Sequence, residues 1–213
     1  DETFRQAVIN NLKFVVMGSL FQLCVGLILA ILLTHISKGG NVLRVIYFIP
    51  CIISSMAICQ IFSKMLSAQP QGLVCYVMEK LGMEPIALLA NSHTALITIT
   101  LIDGYKYCGL YMIIFYSAFV SISKDVIEAS IMDGCNVFQT YIRIVIPLVK
   151  PMLATLLIMD LLWIWNDFML PLLILNRSKD IWTLPLFQYN FKTEYSFNYT
   201  MAFTAYLMSM LPM

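Results

Sequence analysis

Four ionisable side chains interrupt stretches that are otherwise apolar, and they are the residues best placed to do chemistry. Asp103 and Lys106 lie in one such stretch, and Asp160 and Asp167, with the neighbouring Asn166, lie in another. A charged residue at the centre of a membrane helix costs roughly 2.5–3.5 kcal/mol on insertion scales, so each needs a partner or water. Two arrangements are open: the residues line a polar path across a membrane, or they form buried pairs that hold helices together.

The spacing of these residues predicts particular neighbours. Asp103 and Lys106 stand three positions apart, close enough to pair on one helix. Asp160 and Asp167 are seven positions apart and would share nearly the same helix face. We expect this face to line a polar path, and we expect Lys106 to bridge to one of the aspartates.

The remaining reactive side chains offer little support for a catalytic or metal centre. The six cysteines contain no C-x-x-C pair, and His35 and His93 stand alone in the sequence. A G-x-x-x-x-G-K-[ST] phosphate loop is absent as well, so the chain does not supply ATP chemistry through that motif. We therefore predict no catalytic residue, no metal ligand and no cofactor.

The composition indicates a protein whose solvent is lipid. Of the 213 residues, 60% are hydrophobic and 12% are charged, and the mean hydropathy is +0.82. A soluble domain carries about 25% charged residues. The formal net charge of +1 argues against a nucleic-acid partner, which would require a basic surface. We expect an all-α membrane protein.

Several apolar runs are long enough to cross a bilayer. We predict spans at about 14–33, 45–63, 93–120 and 148–175, and a partial span at 201–213, after a pre-span segment at 1–13. Gly18 and Gly26 are small residues of the kind that lets membrane helices approach closely. Residues 72–83 carry an apolar stripe that is typical of a short interfacial helix. Because the chain starts at Asp1 and its last apolar run is short, we expect a bundle truncated at both ends.

Residues 121–147 are amphipathic and predict two short helices on either side of Gly134. Ser123 is placed to cap the first helix and Asn136 the second. The apolar stripe of the second helix is predicted to end at Pro147. A helical hairpin of this kind, between two spans, is suited to contact a partner outside the bilayer.

This hairpin carries an acid, a glycine and a proline at a spacing that resembles the EAA loop of ABC-importer permease subunits. The matching positions are Glu128, Ala129, Ser130, Asp133, Gly134, Cys135, Gln139, Tyr141, Ile144, Ile146 and Pro147. The chain departs from the family pattern with Ser130 and Cys135 in place of alanines, Tyr141 in place of phenylalanine and Ile146 in place of leucine. The run 165–168, Trp-Asn-Asp-Phe, is similar to the carbohydrate-uptake branch, as in maltose-type and glycerol-phosphate-type permeases.

The resemblance implies an all-α polytopic bundle of the type I ABC importer class, acting as a transport subunit rather than an enzyme. Its implied partners are a cytoplasmic ABC ATPase dimer, a second permease of a different chain, an extracytoplasmic solute-binding protein and the lipid bilayer. The expected location is the cytoplasmic membrane of a bacterium. The hairpin would then be cytoplasmic and residues 1–13 extracytoplasmic, although loop charges, five Lys and Arg against seven, weakly favour the opposite orientation.

Two sets of site residues follow from the resemblance and from the ionisable positions. The coupling set, which would dock on the ATPase, contains Glu128, Ala129, Ser130, Asp133, Gly134 and Pro147. The translocation-path set contains Asp103, Lys106, Asp160, Asn166 and Asp167. The alternative function is a gradient-driven secondary transporter, which would use the intramembrane Asp and Lys residues but has no use for a coupling loop. A membrane-embedded enzyme would need a nucleophile with a base or a metal cluster.

Overall fold

The computed structural model describes residues 2–36, 39–67, 70–82, 88–89, 92–175, 179–194 and 199–210, and all regular structure within them is helical. The first half of the chain forms α1 (Glu2–Thr34), α2 (Gly40–Ile52), α3 (Ser55–Met65), α4 (Leu73–Lys80) and α5 (Ser92–Val120). The second half forms α6 (Lys124–Met132), α7 (Val137–Thr140), a π turn (Tyr141–Val145), α8 (Ile146–Trp165), α9 (Met169–Leu175), a 3₁₀ turn (Lys179–Ile181), α10 (Leu184–Glu194) and α11 (Tyr199–Met210). The all-α prediction is confirmed.

Length and composition identify the helices that can cross a membrane. α1 and the uninterrupted helical stretch Phe138–Trp165 each meet the requirement alone. Two bent pairs meet it together, namely α2 with α3 at 92° and Thr94–Val120 with α6 at 74°. The described residues therefore supply up to four spans of a polytopic bundle.

The helices differ from the predicted spans at two places. Residues 1–13, predicted as a pre-span segment, are part of α1, which begins at Glu2. The predicted span 45–63 is broken into α2 and α3, since Ile53 is extended and the Ser54 hydroxyl accepts a hydrogen bond from the Ala57 amide at 3.2 Å. Pro50, which was expected near the start of a span, lies in the last turn of α2. A serine cap two residues after that turn thus starts a new helix in a new direction.

Pro147 does not end the second hairpin helix, contrary to the prediction. The helix continues from α7 through the π turn into α8, and the Ile146 amide bonds to the Tyr141 carbonyl five residues earlier. In a regular α-helix the proline ring would clash with the carbonyl four residues before it. The wider π turn directly before Pro147 removes that regular geometry, so the chain remains helical. The predicted span 148–175 also breaks at residues 166–168, between α8 and α9.

Other predicted elements agree more closely with the structure. The predicted span 93–120 corresponds to α5, and the predicted interfacial helix 72–83 corresponds to α4. Met83 lies outside the described residues. The partial span at 201–213 corresponds to α11, and residues 211–213 lie outside the described residues.

The core consists of two apolar clusters stacked along the helices. We call the end of the bundle where α1 and α5 finish and α6 begins the hairpin end. The cluster near it contains Ala30, Leu33, Met112, Phe115, Phe119, Val145 and Val149. The cluster toward the opposite end contains Phe14, Ile99, Ile164, Leu170, Leu175, Leu186 and Phe187. α1 and α5 run in the same direction, because Gln22 of α1 contacts Asp103 of α5 and, further along both helices, Gly26 lies against Tyr111.

Glycines set the closest helix contacts, as expected for Gly18 and Gly26. A Cβ on Gly26 would lie 2.7 Å from the Tyr111 Cβ, and one on Gly18 would lie 3.0 Å from the Ile164 Cδ1. The tightest approach is one that was not predicted: a Cβ on Gly109 would lie 1.9 Å from the Tyr47 carbonyl oxygen. Backbone therefore approaches backbone between α1 and α5 at Gly26 and between α5 and α2 at Gly109, whereas the Ile164 side chain of α8 lies against Gly18.

We expect Gly109→Ala to destabilise the bundle by roughly 1–3 kcal/mol or more, because α2 must move to admit the methyl group. Gly40→Ala is the matched control, since its Cβ would meet only the Leu33 Cδ1 at 3.9 Å. The measurement is the midpoint of thermal unfolding in detergent. Equal losses in the two variants would contradict the assigned contact.

Candidate functional site: a capped hairpin and a buried polar layer

Two adjacent features set the shape of the hairpin, namely the glycine ending of α6 and the side-chain cap at the start of α7. Gly134 has φ +83°, its amide bonds to the Ile131 carbonyl at 3.0 Å, and the Cys135 amide bonds to the Ser130 carbonyl at 3.0 Å. This is a Schellman ending of α6, which favours glycine. The chain therefore leaves α6 where the sequence predicted.

The second hairpin helix begins with a reciprocal cap. The Gln139 amide donates to Asn136 Oδ1 at 2.8 Å, and the Asn136 amide donates to Gln139 Oε1 at 3.0 Å. This is the capping-box arrangement, and it confirms the prediction for Asn136. Ser123 precedes α6 but makes no capping hydrogen bond with its side chain, so that prediction is wrong.

The coupling residues divide into exposed and buried positions. Five of the six predicted residues are exposed, namely Glu128, Ala129, Asp133, Gly134 and Pro147. Ser130 is instead 3% exposed, and its hydroxyl lies 3.1 Å from that of Thr140, which joins α6 to α7.

The tip of the hairpin presents large apolar side chains. Met132 is 88% exposed, Phe138 72% and Ile131 61%. They stand beside the exposed carboxylates of Glu128 and Asp133. Contiguous exposed apolar side chains rimmed by charge mark an interaction surface.

A buried polar layer separates the two apolar clusters. The Gln22 Nε2 of α1 donates to Asp103 Oδ2 of α5 at 2.6 Å, and the Tyr111 hydroxyl of α5 donates to Asp160 Oδ1 of α8. Asp103 is 2% exposed and Asp160 1%. The layer therefore links α1, α5 and α8 by polar contacts where surrounding side chains are apolar.

Lys106 does not take the partners that the spacing predicted. It is 4% exposed, and its ammonium donates to the Ser55 hydroxyl at the start of α3 and to the Tyr107 hydroxyl at 3.1 Å. Asp103 is directed at α1, whereas Lys106 is directed at the break between α2 and α3. Among the described residues, neither the pair with Asp103 nor a bridge to another aspartate is formed.

The break between α8 and α9 is closed by adjacent side chains. Asn166 Nδ2 donates to the Leu162 carbonyl at 2.8 Å, which satisfies a terminal carbonyl of α8. The Asp167 carboxylate lies beside the amides of Met169 and Leu170 at the start of α9, where the unpaired amides of a helix favour an oxygen acceptor. Because α8 ends at Trp165, Asp160 and Asp167 do not share a helix face, and that prediction is wrong.

Several anchoring residues of α1 were missed from the sequence. Asn10 Nδ2 donates to the carbonyls of Asp180 at 2.8 Å and Trp182 at 3.2 Å, and Asn11 Nδ2 donates to the Trp165 carbonyl at 3.4 Å. A signal was present, since polar or small residues recur at helical spacing along α1. They are Asn11, Gly18, Gln22 and Gly26.

The chain matches one family model over most of its length. Residues 22–213 match the family described as "binding-protein-dependent transport system inner membrane component". The chain belongs to this family. The resemblance of the chain to ABC-importer permease subunits is thereby confirmed.

Several relatives are named as sugar permeases. The multiple sugar-binding transport system permease protein MsmG of Streptococcus mutans is 47% identical over 92 residues, which is 43% of this chain and 33% of that protein. The xylose/arabinose import permease protein XacH of Haloferax volcanii is 30% identical over 149 residues, which is 70% of this chain and 47% of that protein. The chain thus spans a third to about half the length of these relatives.

The same fold occurs in a solved transporter. The crystal structure of a bacterial ABC transporter involved in import of the acidic polysaccharide alginate superposes with a TM-score of 0.85 and 21% sequence identity. The match covers 100% of this chain and 78% of that chain. At this identity the likeness establishes the fold of the transmembrane subunit.

We expect Asp167→Ala to lower stability by about 0.5–2 kcal/mol, because the first amides of α9 lose the oxygen acceptor that lies beside them. Asp167→Asn keeps a capping oxygen and removes the charge, so its unfolding midpoint should stay near that of the unsubstituted protein. Thermal unfolding in detergent measures both. If Asp167→Asn were as unstable as Asp167→Ala, the carboxylate charge rather than the cap would stabilise the break.

Proposed function

We propose that this chain is the permease subunit of an ABC importer that carries a sugar or a sugar-like solute across the cytoplasmic membrane of a bacterium. An extracytoplasmic binding protein delivers the solute, and a separate cytoplasmic ATPase dimer supplies the energy. The second permease is a different chain. The observation that carries the proposal is the capped hairpin with its exposed apolar tip, in a chain of the binding-protein-dependent transport family.

The hairpin has the properties that a docking element needs. Its backbone is held by the Schellman ending at Gly134 and the capping box at Asn136, so its shape does not depend on a partner. Glu128 and Asp133 provide charge for orientation, and Met132 and Phe138 provide apolar area to bury. We infer that this surface lies in a groove of the ATPase and moves when the ATPase dimer closes.

The relatives support the solute class and the partners. MsmG is named for multiple sugars and XacH for xylose and arabinose. Two arabinooligosaccharide permeases of Bacillus subtilis, AraP and AraQ, both match this chain, which supports a pair of different permeases. A solved neighbour is in complex with an alginate pentasaccharide-bound periplasmic protein, which supports delivery by a binding protein.

The proposed translocation path has two layers in this chain. Asn166 is exposed and Asp167 is partly exposed at the break after α8, so these two would face the solute. Asp103, Lys106 and Asp160 are buried behind them and hold the helices that line the path. A broken helix at this position suits a path, because its ends bring polar groups to membrane depth.

We expect Gly134→Ala to weaken co-purification of the ATPase, because alanine at φ +83° costs roughly 1–2 kcal/mol and distorts the hairpin turn. Gly82→Ala is the matched control, since Gly82 has φ +74° and, like Gly134, has open space around its Cβ position. The complex is purified from cells that co-express this permease with the genes for its ATPase and second permease.

The companion measurement is ATP-dependent uptake into proteoliposomes of labelled maltotriose, arabinotriose and an alginate trisaccharide. Uptake of one of them that Gly134→Ala impairs and Gly82→Ala spares would support the importer. Uptake that depends on an ion gradient and not on ATP would overturn the proposal in favour of a secondary transporter.

A further inference from the structure

Thr140 and Tyr141 stand side by side where the hairpin enters the bundle, and their side chains contact different helices. Thr140 contacts α6 through Ser130, and Tyr141 contacts the ends of α1 and α5. Tyr141 is also the first residue of the π turn that leads into α8. The hairpin is therefore connected to the bundle in two ways. Its backbone continues into α8, and the Tyr141 side chain contacts α1 and α5.

The Tyr141 hydroxyl is bonded to the last residue of α1. It lies 2.5 Å from Thr34 Oγ1, and the Thr34 hydroxyl in turn lies 2.6 Å from the Ile31 carbonyl. A threonine hydroxyl carries one proton, so if Thr34 donates to Ile31 it accepts from Tyr141. The contact thereby ties the first residue after α7 to the backbone of the last turn of α1.

The Tyr141 ring makes two further contacts at the same place. Its centroid lies 5.8 Å from that of Phe119 in an edge-to-face arrangement, and 5.8 Å from that of His35. Phe119 is 5% exposed near the end of α5. Removal of the hydroxyl alone would leave these ring contacts in place, so the two kinds of contact can be separated by experiment.

The Ser130 hydroxyl secures the other side of this junction. It lies 3.1 Å from Thr140 Oγ1 and 2.7 Å from the Ile127 carbonyl, and Thr140 Oγ1 lies 3.1 Å from the Asn136 carbonyl. Both side chains are buried, so these contacts are shielded from competing water. Helices α6 and α7 are thus held as one body.

Both hydroxyls occur at positions where the chain departs from the EAA pattern. Ser130 replaces an alanine and Tyr141 replaces a phenylalanine, and each departure adds a hydroxyl that finds a partner. The Tyr141 hydroxyl is not required for the ring contacts, because a phenylalanine ring could make the same contacts with Phe119 and His35. The hydroxyls therefore add specific connections to a hairpin that the ring contacts already position.

We propose that the Tyr141 hydroxyl acts as a positioning group that transmits displacement of the hairpin to α1 through Thr34, and thereby sets how much ATP is hydrolysed for each solute carried. The inference rests on the proposed importer function. When the hairpin moves, the π turn can bend between it and α8, since π turns depart from regular helix geometry. Tyr141 is the first residue of that turn, at its junction with α7, so its bond to Thr34 makes α1 follow the hairpin directly.

The test compares Tyr141→Phe, Thr34→Val and the double variant in the purified complex, reconstituted in proteoliposomes. The probe is whichever labelled trisaccharide the unsubstituted complex takes up. We expect ATP hydrolysed per trisaccharide to rise about two- to tenfold in each single variant, as loss of one hydrogen bond implies. The double variant should show no further rise, because the same bond is removed.

Two controls separate transmission from folding. Tyr105→Phe removes a hydroxyl from an exposed tyrosine of α5, and Thr155→Val removes one that bonds only within α8. Neither control should alter the amount of ATP hydrolysed per trisaccharide carried. The ATPase should co-purify normally with every variant. A purely structural role would lower uptake and ATP hydrolysis together and leave the ratio unchanged, which would overturn the inference.

The outcome also distinguishes this inference from the importer function itself. If the unsubstituted complex couples ATP hydrolysis to uptake and Tyr141→Phe keeps the same ratio, the positioning role fails and the importer stands. If the unsubstituted complex shows no ATP-dependent uptake, the importer assignment fails, and the positioning role falls with it.

Discussion

The register of α1 against α5 is the constraint on which the rest of the structure depends. The two helices are held close by Gly26 against Tyr111, and their offset is fixed by the hydrogen bond from Gln22 to Asp103. An apolar contact tolerates sliding, whereas a buried amide–carboxylate pair leaves two polar groups unsatisfied if it slides. The same register brings the ends of α1 and α5 together at Tyr141, so the polar layer also determines where the hairpin attaches.

At several helix ends in this chain a nearby side chain contacts the terminal backbone groups, and the physical reason is the same at each of them. Every helix end leaves backbone groups without partners, and apolar surroundings offer no water to satisfy them. Asn166 bonds to a carbonyl at the end of α8, the Asp167 carboxylate lies beside the first amides of α9, and Asn136 with Gln139 caps the start of α7. A membrane subunit can therefore contain sharp breaks without leaving many buried groups unpaired.

The parts that could be predicted from sequence are those governed by neighbours in the chain. The glycine ending of α6 and the Asn136 cap depend on residues within one turn, and both were predicted correctly. The partner of Lys106 depends on where the break between α2 and α3 lies in space. The helix continues from α7 into α8 past Pro147 because of a π turn, and no residue pattern predicts that turn. Likewise, Gly109 could be recognised as small but not as the site of closest approach to Tyr47.

The buried charges of α5 have a consequence for how the bundle is made. Asp103 and Lys106 together would cost several kcal/mol if α5 entered lipid alone, at roughly 2.5–3.5 kcal/mol for each charge. Gln22 and Ser55 precede α5 in the chain, so their helices are synthesised before Asp103 and Lys106 need partners. Because synthesis proceeds from the N-terminus, α1 and α3 are made before α5 and supply its polar partners. We therefore expect α5 to insert into the bilayer together with α1 and α3.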